Sequence, residues 1–137
     1  MKSFTAIAGG LCALLLFGVA DASAQNWQHS MTSYALKSGE SVETGDLYFI
    51  SNCKSVLVGP IEVTILDGPP GVTAAAIPAS VMARAQQCAK PVNGAKLVLT
   101  AGHIDDESNT LMTLRVRYPT KDGVREVSPS FMMRLFP

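Results

Sequence analysis

In LMTLRVRYPTKDGVREV, Leu111 to Val127, apolar and polar side chains alternate strictly before a turn and resume after it. Met112, Leu114, Val116 and Tyr118 fall on one face, and Thr113, Arg115 and Arg117 on the other, a period of two that puts one face of a strand in a core. Asp122 and Gly123 then supply the residue types that a tight hairpin needs, and Val124 to Val127 returns. A chain holding this hairpin must build a sheet with one apolar face and cover that face.

The same period recurs upstream. In DLYFI, Leu47 and Phe49 point one way while Tyr48 and Ile50 point the other. Ile61, Val63 and Ile65 alternate with Glu62 and Thr64, and Leu97, Leu99 and Ala101 oppose Lys96 and Thr100. MTSYALK and ESVET, on either side of Ser38 and Gly39, read as the first short strands. DGPPG, Asp67 to Gly71, is a turn in which proline fixes φ and glycine permits its positive values, and VTAAAI continues extended beyond it. Helical signal is confined to PASVMARAQQC, Pro78 to Cys88, where Ser80 as N-cap predicts at most two turns in a loop excursion. Pro129 makes SFMMRLF either an edge strand or the continuation of the return strand beyond a bulge. About seven short strands predict an all-β fold, an antiparallel immunoglobulin-like β-sandwich. The antibody hallmarks differ: the cysteines are closer together than in those domains, and Trp27 lies far from a core strand.

The N-terminus carries a different signal. Lys2, an apolar run from Ala6 to Ala20 and the small residues Ala22, Ser23 and Ala24 predict a secretory signal peptide, residues 1–24, cleaved before Gln25. The run is broken by Gly9 and Gly10 and is too short for a spanning helix. Cys12 follows Leu11 deep inside the run, which does not match a lipid-attachment site. Residues 25–137 then form a single β-sandwich domain, with no membrane span in the mature chain. Of three cysteines, cleavage leaves Cys53 and Cys88, and an even pair in an exported chain reads as one structural disulfide. Neither a CxxC redox motif nor a four-ligand zinc set is present. A closed loop of this size is worth about 4 kcal/mol on the chain-entropy scale. The bridge is expected to join loops near one end of the sandwich.

Of 11 basic and 11 acidic residues, losing Lys2 and Asp21 leaves ten of each, a balance that argues against nucleic acid as a partner. The densest cluster of ligating side chains is AGHIDDES, with His103, Asp105, Asp106 and Glu107 as metal candidates. The preferred reading is a charged, solvated loop, because calcium loops keep stricter intervals and zinc asks for a second histidine or a cysteine. His29 and Met31, with Met82, Met112, Met132 and Met133, offer copper-type ligands, but Met112 and Met133 fall on inward faces and read as core. No GxSxG elbow or phosphate loop is present, and a catalytic triad would have to recruit His29 or His103 from a terminus or a loop. Neighbouring carboxylates, Glu40 with Glu43 and Asp105 with Glu107, are what a soluble surface contains by default. Arg115, Arg117 and Arg125 are expected on one outward face near Glu126, either in cross-strand pairs or on a docking surface, with Pro129 protecting the nearby edge.

NCKSVLVGPIEVTILDGPPGV, RAQQCAKPVNGAKLVLTA, LRVRYPTKDGVREVS and the closing LFP together resemble a group of small exported bacterial proteins of uncharacterised function. The resemblance spans most of residues 25–137 and implies a secreted, disulfide-bearing β domain without implying an activity. The expectation is a periplasmic or secreted, non-catalytic binding or interaction module whose partner is a cell-envelope protein and which needs no cofactor. A periplasmic metal-binding protein is the alternative, and an envelope hydrolase a more distant one.

Overall fold

The computed structural model describes residues 31–84 and 87–137, so the segment read as a signal peptide, together with Trp27 and His29, lies outside the described residues. Ten strands follow one another along the chain: β1 (Ser33–Lys37), β2 (Ser41–Leu47), β3 (Ile50–Ser51), β4 (Lys54–Ser55), β5 (Glu62–Asp67), β6 (Val72–Val81), β7 (Val92–Ala101), β8 (Ser108–Thr120), β9 (Gly123–Val127) and β10 (Ser130–Phe136). The fold is all-β among these residues. One sheet has the order β1-β10-β8-β5, with β9 also against β8; a second has the order β2-β7-β6; β3 and β4 form a small hairpin. Among the described strands only β1 and β10 run parallel.

Alternation dictates how the two large sheets meet. Leu97, Leu99 and Ala101 of β7 share a buried cluster with Met112 and Leu114 of β8, Met133 and Leu135 of β10 and Leu36 of β1. Ile61, Ala95, Val116 and Tyr118 form a second cluster joined by Leu47 and Phe49. The inward residues expected for IEVTIL, KLVLTA and the long hairpin are therefore the ones that face the shared interior. Tyr118 packs its ring 5.6 Å from that of Phe49, and burial raises its phenol above the ordinary value of 10.0.

Gly123, at φ 108°, closes the hairpin with Thr120 opposite it. Pro129 neither bulges the return strand nor leaves it at an edge. Val127 lies opposite Val116 and Ser130 opposite Thr113, three residues apart on both strands, so one register runs through the proline. β9 and β10 are thus two parts of one strand. The Leu114 N–H donates to the Pro129 carbonyl at 3.0 Å, and β1 covers the far side of β10. That register also moves Arg125. It pairs with Tyr118 and shares the core-side face, whereas Arg115 and Arg117 lie on the outer face with Glu126.

The expected helical excursion is also corrected. Pro78 to Val81 are the last residues of β6, paired with Ala95 through Val92, and Ser80 faces Asn93 across the ladder instead of capping a helix. Among the described residues β6 has β7 as its only hydrogen-bonded neighbour, and an edge strand tolerates a residue without an N–H.

A third cluster contains Val81, Ala83, Cys88 and Val92, with Tyr48, Ile50 and Ala79 packed against it. Val81 pairs with Val92 and Ala79 with Gly94, out of phase with the inward Ala76 and Ala95, so this cluster occupies the outer face of the β6–β7 ladder. The chain leaving β2 crosses that face at Gly94. A Cβ there would collide with the Leu47 carbonyl oxygen and stand 2.8 Å from Val81 Cγ2. The Cys53–Cys88 disulfide closes the cluster, joining the β3–β4 turn to the β6–β7 connection with Cα atoms 5.5 Å apart.

Candidate functional site

The loop from β7 to β8 is held by its middle. Ile104 is buried in the main cluster, and its N–H donates to Ser38 Oγ at 2.7 Å. Anchoring Ile104 turns its neighbours outward: His103 Nε2 and Asp105 Oδ1 lie 2.9 Å apart, with both side chains more than 80% exposed. Asp106 is exposed, and Glu107 turns to Arg134 Nη2 at 3.7 Å, whose guanidinium in turn lies over Phe136. Two of the four metal candidates are therefore brought together. Among the described residues no three histidine, cysteine, aspartate or glutamate side chains are placed to hold one ion. A groove of about 370 Å³ runs between this loop and the DGPPG turn, lined by Pro70, Ile104, Asp106 and Thr110. Its histidine and carboxylate sit at a solvated rim where exposed charges interact weakly.

The other sequence candidates separate by burial. Met112 and Met133 are fully buried and serve as core, while Met31 and Met82 are about half exposed. Arg115 and Arg117 reach Glu126 Oε1 at 3.2 and 3.6 Å, ordinary cross-strand pairing on an exposed face. On the other sheet Lys96 donates to Asp46 at 2.9 Å with Glu43 at 3.9 Å, and the Asp46 hydrogen bond raises the lysine above its usual range.

The strand edges differ more than the loops do. β5 carries Glu62 and Asp67, β2 carries Glu43 and Asp46 with a register shift between Glu43 and Gly45, β9 carries Arg125 and Glu126, and β1 is five residues long and ends in Lys37. Charge, bulges and brevity are the devices that keep a free edge from pairing with another chain. β6 is ten residues long, VTAAAIPASV, and carries no charged residue; Ile77 on its surface is half exposed. Beside it lies a groove of about 300 Å³ lined by Ala76 and Pro78 of β6, Asn93 of β7, and Leu57, Pro60 and Ile61 of the segment leading into β5. Sequence reasoning ended this strand at Pro78 and so missed it. The available signal was the run of ten uncharged residues between Val72 and Val81.

Comparison of the chain with protein-family models, with curated proteins and with solved structures finds no match.

Proposed function

We propose that this protein is an exported, immunoglobulin-like β-sandwich of the cell envelope, a non-catalytic module that binds a partner protein by accepting an extended segment along β6. The observation that carries this reading is the contrast between β6 and the other free edges. Among the described residues four are short, charged or bulged, and the longest, β6, is neither charged nor bulged, with proline as its only interruption. An open edge offers backbone N–H and C=O groups to an incoming strand, and pockets beside it select alternate side chains. The groove next to Ala76 and Pro78 is placed for that second role.

The immunoglobulin-like assignment is supported by the two sheet orders, β1-β10-β8-β5 and β2-β7-β6, with their apolar faces sharing one interior. Export is supported by the small-residue cleavage site before Gln25 and is compatible with the disulfide. A photo-crosslinking residue at Ile77, in protein expressed in its own envelope, is expected to capture one extended segment of an envelope protein. Ala75→Lys with Ile77→Lys is expected to abolish the adduct formed from a crosslinker at Thr73, and His103→Ala to leave it intact. Retention of that adduct in the double-lysine variant overturns strand addition on β6.

A further inference from the structure

The third apolar cluster contains no residue of the other two, lies on the outside of the β6–β7 ladder, and has the only disulfide among the described residues as its closure. Its backbone is held in an unusual state. The three non-glycine residues with positive φ among the described residues are Asn52 at 51°, Cys53 at 58° and Gln87 at 50°, all at or beside the bridged positions. Left-handed backbone is unfavourable for L-residues, asparagine least so, and persists where the surroundings over-determine it. The hairpin on the Cys53 side is short, with two paired positions, Ile50 with Ser55 and Ser51 with Lys54, extended by the Val56 N–H to the Phe49 carbonyl. The two bridged residues are also presented unequally: Cys53 is exposed and Cys88 is buried at 7%.

We propose that Cys53–Cys88 is a redox-sensitive latch: its reduction by a dithiol opens the β3–β4 hairpin and uncovers the apolar outer face of β6–β7, while the two-sheet core stays folded. A thiolate of the dithiol attacks Sγ of Cys53, the exposed residue of the pair. A bond forms between reagent and Cys53, the Cys53–Cys88 bond breaks, and its electron pair leaves on Cys88 sulfur, which takes up a proton. The second thiolate of the reagent then attacks its own sulfur in the mixed disulfide, releasing Cys53 as a thiolate that is protonated in turn. The reagent ends as a cyclic disulfide and the protein as a dithiol. With the link gone, the left-handed residues relax and Tyr48, Ile50, Val81 and Val92 lose their cover.

Hydrogen exchange of the full chain, oxidised, reduced with dithiothreitol, and as the Cys53→Ser, Cys88→Ser double variant, tests this directly. The amides of Val56 and Cys88, bonded to Phe49 and Ala83 in the closed form, are expected to lose protection on reduction and in the variant. Those of Leu99, Leu114 and Met133 are expected to keep the slow exchange of a folded core, and a dye fluorescent on apolar surface is expected to bind only the open forms. Brief treatment with glutathione followed by alkylation is expected to place glutathione on Cys53 and the alkyl label on Cys88. Protection that is lost everywhere at once, or nowhere, overturns the latch, and glutathione found on Cys88 overturns the order of attack.

Discussion

At the scale of single residues, the tightest constraint falls on Gly94. Its neighbours on β7 present Cβ atoms without conflict, but at this position the Leu47 carbonyl passes over the strand and Val81 closes from the side. Gly94→Ala must displace backbone, not the free end of a side chain, because the obstructing atom is a carbonyl oxygen flanked by the ladder that pairs Leu47 with Ala95. The expected loss is about 3 kcal/mol, at the upper end of overpacking costs. Gly45 provides the comparison, since a Cβ there meets nothing within 4 Å. Gly45→Ala is expected to leave stability within about 0.5 kcal/mol of the parent or above it. Urea midpoints of the two variants check both values, and equal effects at the two sites show that the crossing at Gly94 is not close. Nothing in the sequence around VNGAKL marks this glycine as different from the others, because the atom that excludes a side chain arrives from a strand about fifty residues earlier.

At the scale of elements, irregularities matter more than regular pairing. β2 shifts register between Glu43 and Gly45, leaving Thr44 out of step with β7. Its carbonyl is not abandoned: the Tyr34 hydroxyl donates to it at 3.0 Å from β1, while the Tyr34 ring meets Phe131 edge-on at 5.3 Å. One tyrosine therefore satisfies a bulge in one sheet from the other. Tyr34→Phe keeps the ring packing and removes the donor, so the expected cost is about 1–2 kcal/mol for a part-buried carbonyl left unpaired. A denaturation midpoint indistinguishable from the parent shows that water takes over this role. The strands themselves were legible in the sequence wherever alternation was long, as in Leu111 to Tyr118 and Ile61 to Ile65. Local rules failed at prolines. Those rules start a helical excursion at Pro78 and make the stretch after Pro129 an edge strand or a continuation beyond a bulge, yet Pro78 sits within the β6–β7 ladder and β10 continues β9 in one register, because a missing N–H is harmless on an edge like β6 and costs one bond in a register held by the residues around Pro129.

At the scale of the molecule, the sequence identified the candidate chemistry by residue type, and the fold dispersed it. His103 and Asp105 meet, but Glu107 is drawn to Arg134 on β10, a contact set by strand order and not by spacing within AGHIDDES. The pairing of Cys53 with Cys88 is legible because they are the two cysteines outside the segment read as a signal peptide; the outer cluster that they close is not, because it depends on where the chain crosses Gly94. That location changes what the bridge is worth. Closing a loop of 35 residues stabilises by about 4 kcal/mol through the unfolded state. Against this, Asn52, Cys53 and Gln87 are held in left-handed conformations that cost about 1 kcal/mol each, less for asparagine, and that relax when the link is cut. The net contribution is then about 1–2 kcal/mol. The Cys53→Ser, Cys88→Ser variant is accordingly expected to remain folded and to unfold cooperatively in urea with a stability lower by that amount. A loss of the full loop-closure value means that the three residues carry no strain, and a variant as stable as the parent means that strain cancels the link entirely.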